Sequence, residues 1–159
     1  MSVDALDADR LRQMMVESAC SDAGRGGRSL LVVDSRPFTS FNASHVAGAV
    51  NVHCPSIVRR RAGGLIPVVN VVRSAEALAD LTAGRCRAVV VCDESTDSVD
   101  QLDGQSNARL ALNSLASVLP PSTALYLLRG IFITLFRICC CAKYTKIHLP
   151  DHAQVLIRS

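Results

Sequence analysis

The sequence contains no tryptophan, and only 4% of its 159 residues are aromatic. Because proteins that bind single-stranded nucleic acid stack the bases on aromatic side chains, this scarcity argues against a nucleic acid partner. The first ten residues, MSVDALDADR, lack the apolar stretch of a secretory signal peptide. The longest apolar region, residues 124–142, is interrupted by Arg129 and Arg137 and falls short of the ~20 apolar residues of a membrane span. We therefore expect neither secretion nor a membrane partner.

The seven cysteines lack the paired spacing of a disulfide framework or a zinc site. Three of them form a run at residues 139–141, and the others stand alone: Cys20, Cys54, Cys86 and Cys92. An odd number of cysteines without a signal peptide is typical of reduced thiols in the cytosol or nucleus. We expect no metal and no cofactor, and a location in the nucleus, the cytoplasm or both.

The charge is balanced over most of the chain. Residues 1–130 contain 13 arginines and 13 acidic residues, whereas residues 131–159 contain four basic residues and one acidic residue. A body without net charge is not a general binder of polyanions. Apolar residues make up 49% of the chain, enough for one packed domain. We place that domain in residues 1–130, followed by a different, hydrophobic and weakly basic tail over 131–159 that we expect to be poorly ordered.

Short apolar runs alternate with amphipathic segments. The runs predict strands at residues 30–34, 49–52, 88–92 and 124–128, and the segments predict helices at 7–19, 74–83 and 107–119. Asp7 and Ser74 are the expected N-caps of the first two helices. This alternation predicts an α/β fold with a parallel sheet covered by helices on both faces. Ligands of such sheets lie beyond the carboxyl ends of the strands.

His53 and Cys54 open a loose cysteine-phosphatase pattern, in which His-Cys is followed by five residues and an arginine, here Arg60. In that chemistry a thiolate attacks phosphorus, while loop amides and the guanidinium hold the phosphate oxygens. The loop needs small residues, but Ile57 and Val58 favour extended backbone. Catalysis by Cys54 and Arg60 is therefore a weak hypothesis.

Cys92 ends an apolar run, a place where a nucleophile can be displayed. The acidic residues Asp93 and Glu94 follow it and would raise the pKa of the thiol. A buried structural cysteine is favoured, and a thiol transferase that uses Cys92 is the alternative.

Arg59, Arg60 and Arg61 form a basic cluster in the otherwise balanced body. A spacer of residues 62–64 separates them from Leu65 and Ile66. Adjacent guanidinium groups can pair with clustered carboxylates, and aliphatic side chains can enter a neighbouring groove. The pattern is typical of a docking element, but a solvated face or a nuclear-import patch would also explain it.

Several segments together resemble a known family. Residues 30–38 and 41–52 resemble the opening motif of the rhodanese-like fold. Residues 56–62, 89–95 and 127–130 resemble the N-terminal domain of dual-specificity MAP kinase phosphatases. The inducible nuclear subgroup is the most similar, on Ser35-Arg36-Pro37-Phe38 and on the segment from Val58 to Ala62.

The resemblance implies a non-catalytic, rhodanese-like domain that binds MAP kinases, taken from a family of protein tyrosine, serine and threonine phosphatases. It assigns the charge contacts with the kinase's acidic docking patch to the basic cluster, and the groove contacts to Leu65 and Ile66. It assigns structural roles to Asp34, Arg36 and His45.

Two departures from the family pattern affect the expected chemistry. Asp93 stands where sulfur-transferring rhodaneses have their cysteine, so sulfur transfer is not supported. After Gly130 the family's closing helix is replaced by an unrelated stretch, and no phosphatase domain follows. We therefore expect a truncated or aberrantly spliced product that contains only the docking domain.

Overall fold

Continuous runs of aliphatic residues form the central strands of a five-stranded sheet. The computed structural model describes residues 2–22, 29–52, 54–94 and 96–130. The strands are β1 (Val3–Leu6), β2 (Leu30–Asp34), β3 (Val50–Asn51), β4 (Ala88–Cys92) and β5 (Ala124–Leu128). The helices are α1 (Ala8–Asp22), α2 (Phe38–Ala43), α3 (Ser56–Arg61), α4 (Val68–Val71), α5 (Ala75–Thr82) and α6 (Asn107–Ala116), and a 3₁₀ turn spans Val99–Gln101.

The sheet has the strand order β1-β5-β4-β2-β3, and every neighbouring pair is parallel. Strand β4 lies at the centre, and all five of its residues are buried. A strand covered on both sides must be apolar at every position, which explains its uninterrupted AVVVC sequence. The predicted α/β class with a parallel sheet is confirmed.

The two faces of the sheet belong to separate hydrophobic clusters. Val33 and Val91 lie on the face packed by residues of α4, α5 and α6. Val32 and Val90 lie on the opposite face, in a cluster with Leu11 of α1. This division follows from the pleat, since successive side chains of a strand point to opposite faces. Helices therefore cover both faces, as predicted.

Four elements were not predicted from the sequence. Strand β1 pairs with β5, but only Leu6 of its four residues is buried, so no apolar run marks it. Helices α2, α3 and α4 have four to six residues each and begin directly after Pro37, Pro55 and Pro67. Proline has a φ suited to a helix start and needs no hydrogen bond from its nitrogen. These helices are too short for periodicity to reveal them.

Side-chain caps fix the ends of the longer helices. Asp7 Oδ1 accepts from the amide of Arg10 at 2.8 Å, and Ser74 accepts from the amide of Ala77. Ser106 caps α6 in the same way through the amide of Arg109. The two predicted N-caps are confirmed. Helix α6 ends at Ala116 rather than at residue 119.

We expect Ser74→Ala to lower the free energy of unfolding by about 1 kcal/mol, because an amide of the first turn of α5 loses its acceptor. Ser98→Ala is a matched control, since Ser98 precedes the 3₁₀ turn without a capping side-chain hydrogen bond. Its effect should stay within about 0.5 kcal/mol in urea unfolding. Equal losses for the two variants would show that the Ser74 cap contributes nothing specific.

None of the helices in the described part of the chain is long and apolar enough to cross a membrane. The expected tail over residues 131–159 lies outside the described residues, as does His53.

Candidate functional site

The basic cluster occupies the last turn of α3. The helix begins after Pro55, where the amides of Val58 and Arg59 both donate to the carbonyl of Pro55. Gly63 and Gly64, both with positive φ, then reverse the chain, a backbone conformation that favours glycine. The cluster therefore ends abruptly. Its guanidinium groups extend from the carboxyl end of the helix, where the helix dipole favours positive charge.

The segment that carries the cluster is tied to α6 at three points. Arg59 Nη1 donates to the carbonyl of Gln105 at 3.3 Å, just before α6. Asn113 Nδ2 donates to the carbonyl of Gly64 at 3.1 Å, and the amide of Ile66 donates to Ser114 Oγ at 2.9 Å. We call these three contacts the α6 clamp. The clamp gives the segment a fixed position against a helix of the core.

The three arginines differ in their surroundings. Arg59 is half-buried, and its Nε is out of contact with solvent and has no hydrogen-bond partner among the described residues. Arg60 and Arg61 are exposed. Neither forms an ion pair within the described residues. Two guanidinium groups are thus free to meet a partner's carboxylates.

The two predicted groove residues differ in their solvent exposure. Leu65 is 52% exposed, whereas Ile66 is 5% exposed and belongs to the main hydrophobic cluster. The clamp accounts for the burial, because the bond to Ser114 Oγ draws the backbone of Ile66 against α6. The expected surface role of Ile66 is therefore corrected to a core position, and Leu65 remains a surface residue.

Asp34 and Arg36 form a buried ion pair at the carboxyl end of β2. Arg36 Nη2 lies 2.7 Å from Asp34 Oδ2 and also donates to the carbonyl of Ser44 at 2.6 Å. Burial alone lowers the pKa of Arg36, but the hydrogen bond and charge of Asp34 outweigh it and raise the pKa above its usual value. Asn51 Nδ2 adds hydrogen bonds to the carbonyls of both residues. The pair joins the end of β2 to the end of α2.

His45 lies just beyond that pair and holds the end of α2. Its Nδ1 lies 2.9 Å from the carbonyl of Phe41, and its ring stacks on the Phe41 ring with centroids 4.1 Å apart. These contacts are local to α2 and face no cleft that the structure describes.

A cleft of about 250 Å³ opens at the carboxyl ends of β2 and β4, where ligands of parallel sheets lie. Its polar lining has both signs of charge: Arg36, Arg59, Asp93 and Glu94. Asp93 is occupied with its own loop, because Oδ1 accepts the amide of Thr96 at 3.0 Å and Oδ2 contacts Thr96 Oγ1. With two cationic and two acidic side chains, the lining does not select for an anionic substrate.

Cys54 and Arg60 do not form a phosphate cradle. Cys54 is buried, and its amide donates to Asn107 Oδ1 at 3.1 Å. The residues from Ser56 onward form a helix rather than a curled loop, so the expectation of extended backbone at Ile57 and Val58 is wrong. Pro55 starts this helix in spite of the β-branched side chains. Its first amides bond to the carbonyl of Pro55 and do not converge on an anion.

Cys92 is fully buried at the end of β4. Burial raises the pKa of its thiol well above the usual value, and the charge of Asp34 raises it further. The sulfur lies 3.6 Å from the carbonyl of Val33. A protonated, enclosed thiol is a poor nucleophile.

Within the described part of the chain, no cluster of three His, Cys, Asp or Glu side chains could hold a metal ion. The residues that sequence reasoning missed are those that contact the segment around the basic cluster, namely Gln105, Asn107, Asn113 and Ser114. Asn113 and Ser114 interrupt the apolar run from Leu110 to Ala116, and Ser114 is 1% exposed. This polar pair, in a helix that otherwise packs into the core, is the sequence feature that could have revealed the clamp.

No family model matches the chain. Over 130 residues it is 38% identical to mouse (Mus musculus) dual specificity protein phosphatase 1. The aligned region covers 82% of this chain and 33% of that protein. It is 35% identical over 140 residues to human (Homo sapiens) dual specificity protein phosphatase 5, covering 86% of this chain and 35% of that protein. The chain is a homologue of the dual specificity protein phosphatases. Chicken (Gallus gallus) dual specificity protein phosphatase 4 is a further relative, 37% identical over 111 residues, which is 69% of this chain and 28% of that protein.

This dual specificity phosphatase homologue spans about a third of the length of the curated relatives it matches. Among solved structures, a Saccharomyces cerevisiae protein described as a homolog of single-domain rhodanese and Cdc25 phosphatase catalytic domain has a TM-score of 0.44 and 19% sequence identity. It covers 90% of this chain and 86% of that one. The parallel sheet described above is the α/β architecture that the rhodanese-like resemblance implies.

Proposed function

We propose that this chain is a non-catalytic docking domain that binds a MAP kinase through the kinase's acidic docking patch. The observation that carries the proposal is the pair Arg60 and Arg61, exposed and without ion pairs among the described residues. Their guanidinium groups are available for bidentate contacts with carboxylates. Leu65 supplies an exposed aliphatic side chain nearby, and Arg59 is the third basic residue of the cluster.

The rest of the body favours a specific contact over a general electrostatic one. Residues 1–130 have equal numbers of basic and acidic residues, so attraction has to come from local arrangement. The homology to dual specificity phosphatases is consistent with the MAP kinase partner that the family resemblance implies. We propose membership of the inducible nuclear subgroup, and a location in the nucleus, the cytoplasm or both. The expected truncation after Gly130 remains a prediction that transcript sequencing across that codon tests.

Charge reversal at the cluster tests the proposal. We expect Arg60→Glu/Arg61→Glu to weaken binding of a purified MAP kinase by at least about tenfold, because two attractive contacts become repulsive. Binding of the wild-type chain should also weaken as salt rises, since exposed charges are screened within about 8–10 Å. The measurement is a titration of the full chain with the kinase at several ionic strengths.

Arg12→Glu/Arg87→Glu is the matched control, because both side chains are exposed on other elements and the net charge changes equally. It should bind like the wild type. Equal loss in the two double variants would mean that net charge, not the cluster, drives binding. Wild-type binding that is absent at low salt would overturn the proposed function.

The proposal also requires that the chain itself performs no chemistry. We expect no turnover of an aryl phosphate, or of thiosulfate with cyanide. Turnover that disappears in Cys54→Ser or Cys92→Ser would favour the phosphatase or sulfurtransferase instead.

A further inference from the structure

The three arginines of the cluster face two directions. Consecutive residues of an α-helix are about 100° apart around the axis, so three in a row cannot share one face. Arg59 faces α6, where its guanidinium meets the carbonyl of Gln105 at 3.3 Å and its Nε is shielded from solvent. Arg60 and Arg61 face outward. One arginine is therefore committed to the protein itself.

The outward face of α3 also has an aliphatic residue that the basic pattern does not reveal. Ile57 lies three positions before Arg60 and four before Arg61, which places it beside both on the helix surface. Its side chain is 54% exposed, although isoleucine is usually buried. Of the two expected groove contacts, Ile66 is in the core, and Leu65 is exposed but lies beyond the end of the helix. Val58 is also exposed, at 43%, but it adjoins Arg61 alone, whereas Ile57 lies beside both guanidinium groups.

We infer that the docking surface is the outward face of α3, formed by Ile57, Arg60 and Arg61, and that Arg59 is a positioning residue which fixes this face against α6. The inference rests on the proposed function and deepens it. The partner that fits is an acidic protein surface with a shallow apolar depression beside its carboxylates. The partner's carboxylates must match the spacing of the adjacent Arg60 and Arg61, and its apolar depression must match Ile57, which lies one turn before them.

The α6 clamp explains why Arg59 matters without touching the partner. Helix α3 has only six residues, and an isolated helix of that length is not stable in water. Two contacts with α6 hold its carboxyl-terminal side: Arg59 with Gln105 and, just beyond the helix, Gly64 with Asn113. A helix fixed in advance loses less conformational entropy when a partner binds. Arg59 therefore contributes order to the surface, whereas Arg60 and Arg61 contribute charge.

Substitutions in the full chain separate these roles, with a purified MAP kinase as the probe. We expect Arg60→Ala/Arg61→Ala and Ile57→Ser each to weaken binding by about tenfold, the first through lost charge contacts and the second through lost apolar contact. The arginine variant should also flatten the dependence of log Kd on log salt. Arg59→Ala and Asn113→Ala should weaken binding by no more than about threefold and leave the salt dependence unchanged.

Val118→Ser is the matched control for Ile57→Ser. Val118 is 49% exposed and follows the carboxyl end of α6, about 15 Å along that helix from the Gln105 contact. It should bind like the wild type.

Hydrogen exchange of the α3 amides supplies a readout that does not depend on the kinase. Exchange should accelerate in Arg59→Ala and Asn113→Ala and stay unchanged in Arg60→Ala and Arg61→Ala. Arg59→Lys, which keeps the charge but loses the planar fork, should behave like Arg59→Ala.

The outcomes distinguish failure of the assigned surface from failure of the proposed function. Loss of salt dependence in Arg59→Ala, or normal binding by Ile57→Ser, would overturn the inference and leave the proposed function standing. Failure of the wild-type chain to bind would overturn the proposed function and the assigned surface together. Unchanged exchange in Arg59→Ala would reject its positioning role regardless of kinase binding.

Discussion

Substitution of Asp34 by alanine should lower the free energy of unfolding by about 3–5 kcal/mol, because the guanidinium of Arg36 would remain buried without its counter-ion. The two residues are 1% and 7% exposed, so water cannot replace the lost carboxylate. Arg36 Nε and Nη2 both donate to that carboxylate, at 3.0 and 2.7 Å for the closest pairs. A typical domain has only about 5–15 kcal/mol of stability in total, so this variant should be close to unfolding at room temperature.

The double variant Asp34→Leu/Arg36→Met distinguishes an unpaired charge from a general packing defect. Replacing both members of a buried ion pair by apolar residues often costs much less than removing one. The double variant should therefore be more stable than Asp34→Ala, although the carbonyl of Ser44 loses its donor. Urea unfolding followed by circular dichroism measures both. A double variant less stable than Asp34→Ala, or an Asp34→Ala variant within about 1 kcal/mol of the wild type, would contradict the role of the pair.

The cysteines should differ by about a thousandfold or more in their rates of alkylation in the native protein, because enclosed thiols react only when the fold opens. Cys20 is exposed, whereas Cys54, Cys86 and Cys92 are buried. At pH 8 Cys92 has a second source of protection, because burial raises the pKa of its thiol and leaves little of the reactive thiolate. Iodoacetamide labelling with peptide mapping gives a rate for each cysteine separately.

Labelling in denaturant is the control, since all four thiols should then react at similar rates. A native rate for Cys54 or Cys92 that approaches the rate for Cys20 would show an accessible nucleophile. That result would favour the enzymatic alternatives over a docking domain, since both of them need a thiolate that a substrate can reach.

The sequence predicted the centre of the sheet better than its edges. Strands β2, β4 and β5 are largely apolar runs, because most of their side chains are buried, and such runs are visible without any structural knowledge. Strand β1 has no such run, since only Leu6 is buried, and its pairing with β5 depends on residues more than a hundred positions away. Pairing between such distant segments leaves no local pattern to detect.

The surface site shows the same division. The charges of the cluster were evident from the residues, but which arginine faces the protein was not, because it depends on the helix that Pro55 starts and on the bond from Arg59 to Gln105. Pro55 starts a helix through Ile57 and Val58, whose β-branched side chains alone favour extended backbone. Ile66 looked like a surface aliphatic by its spacing from the arginines, yet its backbone bond to Ser114 commits it to the core. Tertiary contacts overrode local preference at both positions.

The α6 clamp joins the docking segment to a helix whose opposite side lies in the hydrophobic core, with Leu112 and Leu115 almost fully enclosed. Any change that loosens the packing of α6 in the core would also move α3, because the α6 clamp ties α3 to this helix. A mutation in the core that leaves the charge unchanged would then displace Arg60 and Arg61 from the positions in which they meet a partner. The docking surface that we propose should therefore withstand heat and core mutations only while α6 keeps its packing.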